Sequence, residues 1–369
     1  MKATRRNILI ITSEFPPLPG GIGNHAYNLA LQLQHSGYEV TLMADQRDPN
    51  PEVEVAFDDK LPFKVHRIAI KNKRIFMYVK RLQLARQLLK HQDVVIVSGK
   101  FSLWLGGLVK SLYQIPWLAV IHGSEVNFAQ PLLKNSINRA LKRMDHIIAV
   151  SQYTKSLVAH LPLRAVTVIP NGFNPTDWKQ AMGGNEPLKG NPSLLTVGNV
   201  TERKGQLQVI KQLPAVLAQY PEAHYHCVGF PTEKNSVINA AKQLGVVDKL
   251  TFHGHVSHEA LERFYKGTDC FVMLSTETQS GDVEGFGIAI LEANYFGLPA
   301  IGTRGFGITD AIVDGETGRL IDTQNDQALV KALQGILEQR KFYQKSARLW
   351  AEQHDWKKVV KDYIKVIEA

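Results

Sequence analysis

The chain has 369 residues, 44% hydrophobic and 21% charged, which supports about two domains with buried cores and excludes disordered, fibrous and multi-span membrane classes. Its net charge of +9 is unevenly placed: 22 Lys and Arg stand against 11 Asp and Glu up to Gly172, net +11, and 21 against 23 beyond it, net −2. That surplus directs the first half at a polyanion, either a nucleic acid or the anionic surface of a cytoplasmic leaflet.

Lys2, Arg5 and Arg6 precede an apolar run at 8–11 that is too short for a signal peptide, and no run reaches the roughly 20 apolar residues of a membrane-spanning helix. Apolar runs predict strands at 7–12, 40–44, 94–98, 117–121 and 147–150, with helical periodicity between several of them; residues 24–36 form an amphipathic stretch ending at Gly37. Residues 174–192, rich in Gly, Pro, Asn and Lys, lack apolar periodicity and mark a boundary after Ile169-Pro170-Asn171-Gly172. A second series of strands follows at 193–197, 224–228, 249–252, 270–274 and 300–302, and 327–369 is helical by pattern. Strands alternating with helices imply two doubly wound α/β domains in tandem, each with a parallel sheet. The two cysteines, Cys227 and Cys270, lie in strand-like apolar runs and read as reduced core thiols.

In such sheets ligands bind beyond the carboxyl ends of the strands, where three loops stand out. Pro19-Gly20-Gly21-Ile22-Gly23 leads from the first strand into a helix, so it is either a phosphate-receiving N-terminus or an ordinary Pro-Gly turn; it lacks the Gly-x-Gly-x-x-Gly spacing of a dinucleotide site. The segment from Thr196 to Gly205 puts Arg203 and Lys204 on a strand-to-helix loop, a pyrophosphate site or a solvated basic loop. From Glu284 to Ala293, two carboxylates eight residues apart frame bare glycine N–H groups; alone, Glu284 reads equally as a helix cap and Glu292 as a surface charge.

Taken together, these loops resemble family 4 retaining glycosyltransferases of the GT-B fold, whose hallmark of a glutamate, seven residues and a second glutamate is matched by Glu284 and Glu292. Supporting segments run in the same order along nearly the whole chain: Gly20-Gly21-Ile22-Gly23, His122-Gly123-Ser124-Glu125, Val150-Ser151, Ile169 to Gly172, Arg203-Lys204-Gly205, Phe252 to Ser257 and Asp314 to Gly318. The resemblance implies two Rossmann-like domains facing a central cleft: an acceptor-binding domain over 1–172, a nucleotide-sugar-binding domain over 173–352, and a helix over 353–369 returning to the first, with Trp356 and Tyr363 as its anchors. It implies that Glu292 holds the ribose and Lys204 the phosphates. Glu284, with the N–H groups of Phe286 and Gly287, would meet the transferred sugar. Gly21 would approach the distal phosphate, His122 would lie beside the reacting carbon, and the backbone around Val256 would read the base. One departure is Asn199, where the family often has arginine; Arg203 is the candidate replacement.

The reaction so implied is a retaining transfer of a hexosyl group from GDP-mannose or a UDP-sugar to a glycan or lipid-linked acceptor in cell-envelope polysaccharide or glycolipid synthesis. Neither cofactor nor metal is expected, and no Asp-x-Asp occurs in the chain. Residues 71–90 carry seven basic residues and no acidic one, with Ile75, Val79, Leu82 and Leu89 at helical spacing and Phe76, Met77 and Tyr78 at one end. This segment is either a helix lying on an anionic membrane or a surface helix packed on its own sheet, and the charge of the first half favours peripheral association with the inner leaflet of the cytoplasmic membrane. The alternatives are an epimerase or phosphorylase acting on nucleotide sugars with the same fold, or a basic non-catalytic binding module; nucleic-acid motifs are lacking.

Overall fold

The computed structural model describes residues 6–70, 74–178 and 187–369. Lys2, Arg5, Lys71, Lys73 and part of the 174–192 segment therefore lie outside the described residues. The chain forms two compact units, the first comprising Met1–Asn171 with Trp356–Ala369 and the second Gly172–Asp355.

The first unit alternates β1 (Asn7–Thr12), α1 (Gly21–His35), β2 (Glu39–Asp45), α2 (Glu52–Asp58), β3 (Lys64–Ile68), α3 (Arg74–Leu88), β4 (Val94–Ser98), α4 (Lys100–Val109), β5 (Trp117–Ile121), α5 (Pro131–Leu141), β6 (His146–Ala149), α6 (Gln152–Leu157) and β7 (Val166–Val168). Its seven strands run in the order β3-β2-β1-β4-β5-β6-β7, and each pairing is parallel. In the middle, Ile8 pairs with Val40 on one side and Val94 on the other. Such strands are covered on both faces, which is why β1, β4 and β5 read as unbroken apolar runs. The edge strands β3 and β7 are only part-buried and carry no such run, so apolar patterning does not reveal them.

The second unit contains β8 (Ser193–Val197), α7 (Gln206–Gln219), β9 (His224–Val228), α8 (Lys234–Gln243), β10 (Leu250–Gly254), α9 (His258–Gly267), β11 (Cys270–Met273), α10 (Ile288–Tyr295), β12 (Ala300–Thr303), β13 (Gly318–Ile321), α11 (Ala328–Glu338) and α12 (Arg340–Gln353). Its six strands are ordered β10-β9-β8-β11-β12-β13, again all parallel. Cys227 and Cys270 are free and buried in this sheet, where burial pushes the Cys227 thiol up to about 12 and holds it protonated.

Three local differences from the sequence-based expectation have physical causes. Helix α1 begins at Gly21 rather than at residue 24, because the extended Gly20 leaves its carbonyl free to accept the Asn24 N–H at 2.9 Å. The helical stretch over 327–369 is three helices, broken at Gln339 and at His354–Asp355. Since α12 runs to Gln353, a boundary at 352 would fall inside a helix. The last helix, α13 (Trp356–Glu368), belongs to the first unit. Its apolar face of Trp356, Val359, Val360, Tyr363 and Ile367 is buried, and Tyr363 meets the buried His25 of α1, its hydroxyl 2.8 Å from Nε2.

Candidate active site

In the second unit the site is built on loops at the carboxyl ends of β8, β9, β10 and β11. Between β8 and α7, the chain turns at Gly205, whose φ of +76° and close approach to the Leu274 carbonyl (1.8 Å from any added Cβ) admit no side chain. That turn delivers Arg203 and Lys204 to Glu284, which precedes α10. Lys204 Nζ lies 2.8 Å from Glu284 Oε2, and the Arg203 guanidinium bonds the same oxygen while its Nε lies 3.2 Å from Asp282. Burial pushes the Glu284 carboxyl up, but attraction to Lys204 and Arg203, a hydrogen bond from Lys204 and the Gly287 N–H outweigh it, so the group is held below the ordinary range and ionised. The Gly287 N–H is thus engaged by Glu284, and the Phe286 ring is buried in contact with His354.

Glu292 lies just over a turn into α10. Its Oε2 accepts the Tyr265 hydroxyl at 2.9 Å. Burial raises its pKa; Tyr265, His258 and Lys204 oppose this, and Asp177 adds to it, leaving a net upward shift. The ring of Trp178 lies tilted against His258, centroids 4.0 Å apart, and meets Tyr265 edge-on at 5.6 Å, so the residues around Glu292 are locked by aromatic packing. Asn199 accepts a hydrogen bond through its carbonyl from Gln206, and the cationic charge of the loop resides in Arg203 and Lys204. Val256 is part-buried in the loop between β10 and α9.

In the first unit, His122 follows β5. Its Nε2 lies 3.0 Å from Ser98 Oγ at the end of β4, its backbone N–H donates to Glu125, and its ring meets that of His25 edge-on. Burial pushes its pKa down to about 3, so the imidazole is neutral at physiological pH and acts through hydrogen bonds rather than charge. A Cβ placed on Gly21 would meet nothing within 4 Å, so no neighbour in the fold demands glycine there. The structure thus gathers Arg203, Lys204, Glu284, Gly287 and Glu292 in the second unit, and places His122 and Gly21 in the first.

Residues 19–177 match Glycosyltransferase Family 4 and residues 180–354 match Glycosyl transferases group 1. The chain belongs to glycosyltransferase family 4. A GDP-mannose-dependent alpha-(1-6)-phosphatidylinositol monomannoside mannosyltransferase of Mycolicibacterium smegmatis is 26% identical over 89% of both chains. A glycogen synthase of Mycobacterium tuberculosis is 23% identical over 92% of this chain and 88% of its own. Among solved structures, a sucrose-phosphate synthase of Thermosynechococcus elongatus superposes with a TM-score of 0.80 at 21% identity over 99% and 98% of the two chains. Anabaena HepE with UDP and glucose gives 0.79 at 17% identity over 99% and 100%. The two parallel sheets are those of the GT-B glycosyltransferase fold.

Family patterns in the sequence pointed to the glutamate pair of this glycosyltransferase and to the cations that hold Glu284, but not to the group that holds Glu292. Tyr265, 27 residues before Glu292, and Ser98, 24 residues before His122, carry no local signal, because their contacts come from helix packing and strand adjacency. The 71–90 segment divides in a way that its spacing conceals. In α3, Ile75, Phe76, Tyr78 and Val79 are exposed, whereas Leu82 packs on the core and Leu89 is buried just beyond the helix. Arg81 is buried too, bidentate to Asp45 at 2.6 and 2.8 Å, and is thereby withdrawn from the basic face.

Proposed function

We propose that this glycosyltransferase moves a hexosyl group, with retention, from a nucleoside-diphosphate sugar to a lipid-linked or glycan acceptor in envelope polysaccharide or glycolipid synthesis, the second unit holding the donor and the first the acceptor. The observation that carries the reading is the cluster of Lys204 and Arg203 on Glu284 at the start of α10, with Glu292 part-buried a turn further along. As the bond from the sugar's anomeric carbon to phosphate breaks, negative charge grows on the leaving diphosphate. Lys204, Arg203 and the α10 N-terminus are charges and dipoles already in place to stabilise it, the work a metal does elsewhere. Glu284 and the Phe286 N–H take the sugar hydroxyls, joined by the Gly287 N–H as the sugar displaces it from Glu284; Glu292 takes the ribose, the backbone around Val256 the base, and Gly21 leaves room for the distal phosphate. The acceptor oxygen forms its bond to the anomeric carbon on the face the diphosphate leaves, and its proton passes to a donor phosphate oxygen. His122, being neutral, orients the sugar by hydrogen bonding.

The mannosyltransferase relative favours GDP-mannose and a lipid acceptor, while the UDP in the Anabaena structure keeps UDP-sugars in the panel. The exposed apolar residues of α3, flanked by Lys80 and Arg86, suit an anionic membrane surface. Among the described residues no helix is long and apolar enough to cross a membrane. The deciding experiment is donor consumption by the purified chain with GDP-mannose, UDP-glucose and UDP-N-acetylglucosamine, with and without anionic vesicles carrying phosphatidylinositol. Acceptor-dependent release of one diphosphate, with an α-linked product, is the expected result. Consumption without an acceptor, or only with free phosphate, would replace transfer with epimerisation or phosphorolysis.

A further inference from the structure

Resting on that donor reading, we infer that Arg47 and Arg67 are positioning residues for the transfer: they fix the loop that aims the Gly20–Gly21 turn at the distal phosphate. Neither lies in a motif that carries the family resemblance. The loop between β1 and α1 holds Pro16, Pro17 and Pro19, which have no N–H, so this stretch cannot fix itself by backbone pairing. Its carbonyls are gripped instead by two guanidinium groups. Arg47, just beyond β2, donates from Nη1 to the Leu18 carbonyl at 2.8 Å and from Nη2 to the Pro19 carbonyl at 2.9 Å. Arg67, in β3, donates from Nη2 to the Pro16 carbonyl at 2.5 Å.

The two grips meet at one buried carboxylate. Glu54 Oε1 accepts Arg67 Nη1 at 2.8 Å and the Arg47 backbone N–H at 3.0 Å, and Asp58 accepts Arg67 Nε and Nη2 at 2.7 and 2.8 Å. Glu54 is 0% exposed, and its Oε2 has no hydrogen-bond partner among the described residues. A network that leaves a charged oxygen buried and unpaired is a poor source of stability, since a well-packed apolar cluster often does as well. What it fixes is geometry, tying α2, β3 and the residue beyond β2 to one loop. That loop ends in the turn that opens α1. No side chain caps the helix and its first turn has no acidic residue, so its first N–H groups take the direction that the loop gives them. A Cβ on Gly20 would lie 3.5 Å from Arg47 Nη1 and 2.4 Å from Glu14 Oε2, which puts opposite charges beside the turn, and Arg67 is neutralised by Glu54 and Asp58. Both arginines therefore act through position and not through net charge. Helix N–H groups stabilise a growing phosphate charge best when they are held in place beforehand.

Two measurements on the purified chain test this: steady-state rates with whichever of GDP-mannose, UDP-glucose and UDP-N-acetylglucosamine the wild type consumes, and calorimetric titration with GDP, UDP and ADP. Arg47→Ala is expected to lower kcat about 10- to 100-fold, the scale of a small misplacement at a reacting centre, while the best-bound diphosphate keeps nearly its full affinity. Binding stoichiometry counts the folded sites, so a loss of fold is not read as a loss of rate. Arg47→Lys, whose ammonium does not span two carbonyls, should recover only part of kcat. Arg67→Lys, chosen because Arg67→Ala would strand the Glu54 charge, should show the same split between rate and affinity. Unchanged kcat in either Arg47→Ala or Arg67→Lys, with or without a rise in KM, would overturn the inference while leaving the donor reading standing. Full recovery in Arg47→Lys would overturn it too, because charge rather than position would then be at work. A wild-type chain that binds none of the three diphosphates and consumes none of the donors would remove the donor reading, and this inference with it.

Discussion

Tyr265 donates its hydroxyl to Glu292 at 2.9 Å, joining α9 to α10 across 27 residues of sequence. The contact fixes the rotation of a part-buried carboxylate by occupying one of its two oxygens, which leaves the other to be aimed. Removing Glu292 deletes a charged hydrogen-bonding group, typically about 1.5–3 kcal/mol. Glu292→Ala is therefore expected to weaken the bound nucleoside diphosphate roughly 10- to 150-fold. Tyr265→Phe keeps the carboxylate but frees its rotation, and should cost several-fold in affinity with a smaller effect on kcat. Isothermal titration and initial rates separate the two, and equal affinities in wild type and Glu292→Ala would remove Glu292 from the ribose.

Lys204 lies 2.8 Å from Glu284 and is the shorter of the two cationic side chains there. If it stabilises charge on the leaving diphosphate, Lys204→Ala should lower kcat about 10²–10³-fold, the scale of losing one preorganised electrostatic partner. Added Mg2+ should restore none of that activity, and EDTA should leave the wild type unaffected. Strict dependence of the wild type on a divalent ion would assign the charge stabilisation elsewhere.

Several histidines are buried in neutral form. Burial pushes His25 well below its ordinary pKa, takes His224 down to about 4 and lowers His226. The unfolded chain takes up these protons near pH 6.5, the folded chain only at lower pH. Their contribution to stability is thus complete above about pH 6.5 and is lost below it, at up to about 1.4 kcal/mol per pH unit for each histidine. Glu292, whose carboxyl is raised, works in the opposite sense but is a single group. The urea midpoint should hold steady from pH 8 to 7 and fall steeply between pH 6.5 and 5, with a shallower fall in His224→Gln. A flat midpoint down to pH 5 would contradict the buried neutral state.

The exposed residues of α3 offer a separable test of membrane contact. Ile75 and Phe76 are 62% and 57% exposed, so Ile75→Glu and Phe76→Glu should leave the thermal midpoint nearly unchanged. Sedimentation with phosphatidylglycerol vesicles should fall several-fold in either variant, and binding by the wild type should weaken as salt is raised. Vesicle binding that survives both substitutions would move the contact away from α3.

The sequence made the central strands legible because they are buried on both faces and spelled as continuous apolar runs. It concealed β3 and β7, which lie at the sheet edge and are only part-buried. Glu284, Glu292 and Lys204 were legible through the order of short motifs, while Tyr265, which orients Glu292, was not. Arg81 shows the limit most clearly: counted as one charge of a basic stretch, it is an internal tie between α3 and β2. No helical spacing distinguishes a cation facing solvent from one turned to a carboxylate 36 residues earlier.

The first unit is discontinuous: its sheet and first helices come from residues up to Asn171, and its closing helix α13 begins only at Trp356. During synthesis the segment Gly172–Asp355 emerges while the face of α1 that carries His25 still awaits Trp356 and Tyr363. The second unit therefore has its whole sequence available before the first does. A ribosome that stops after Glu292 but before Trp356 releases a chain whose first unit lacks part of its core, open to quality-control proteases even though the loops carrying Lys204, Glu284 and Glu292 have all been made.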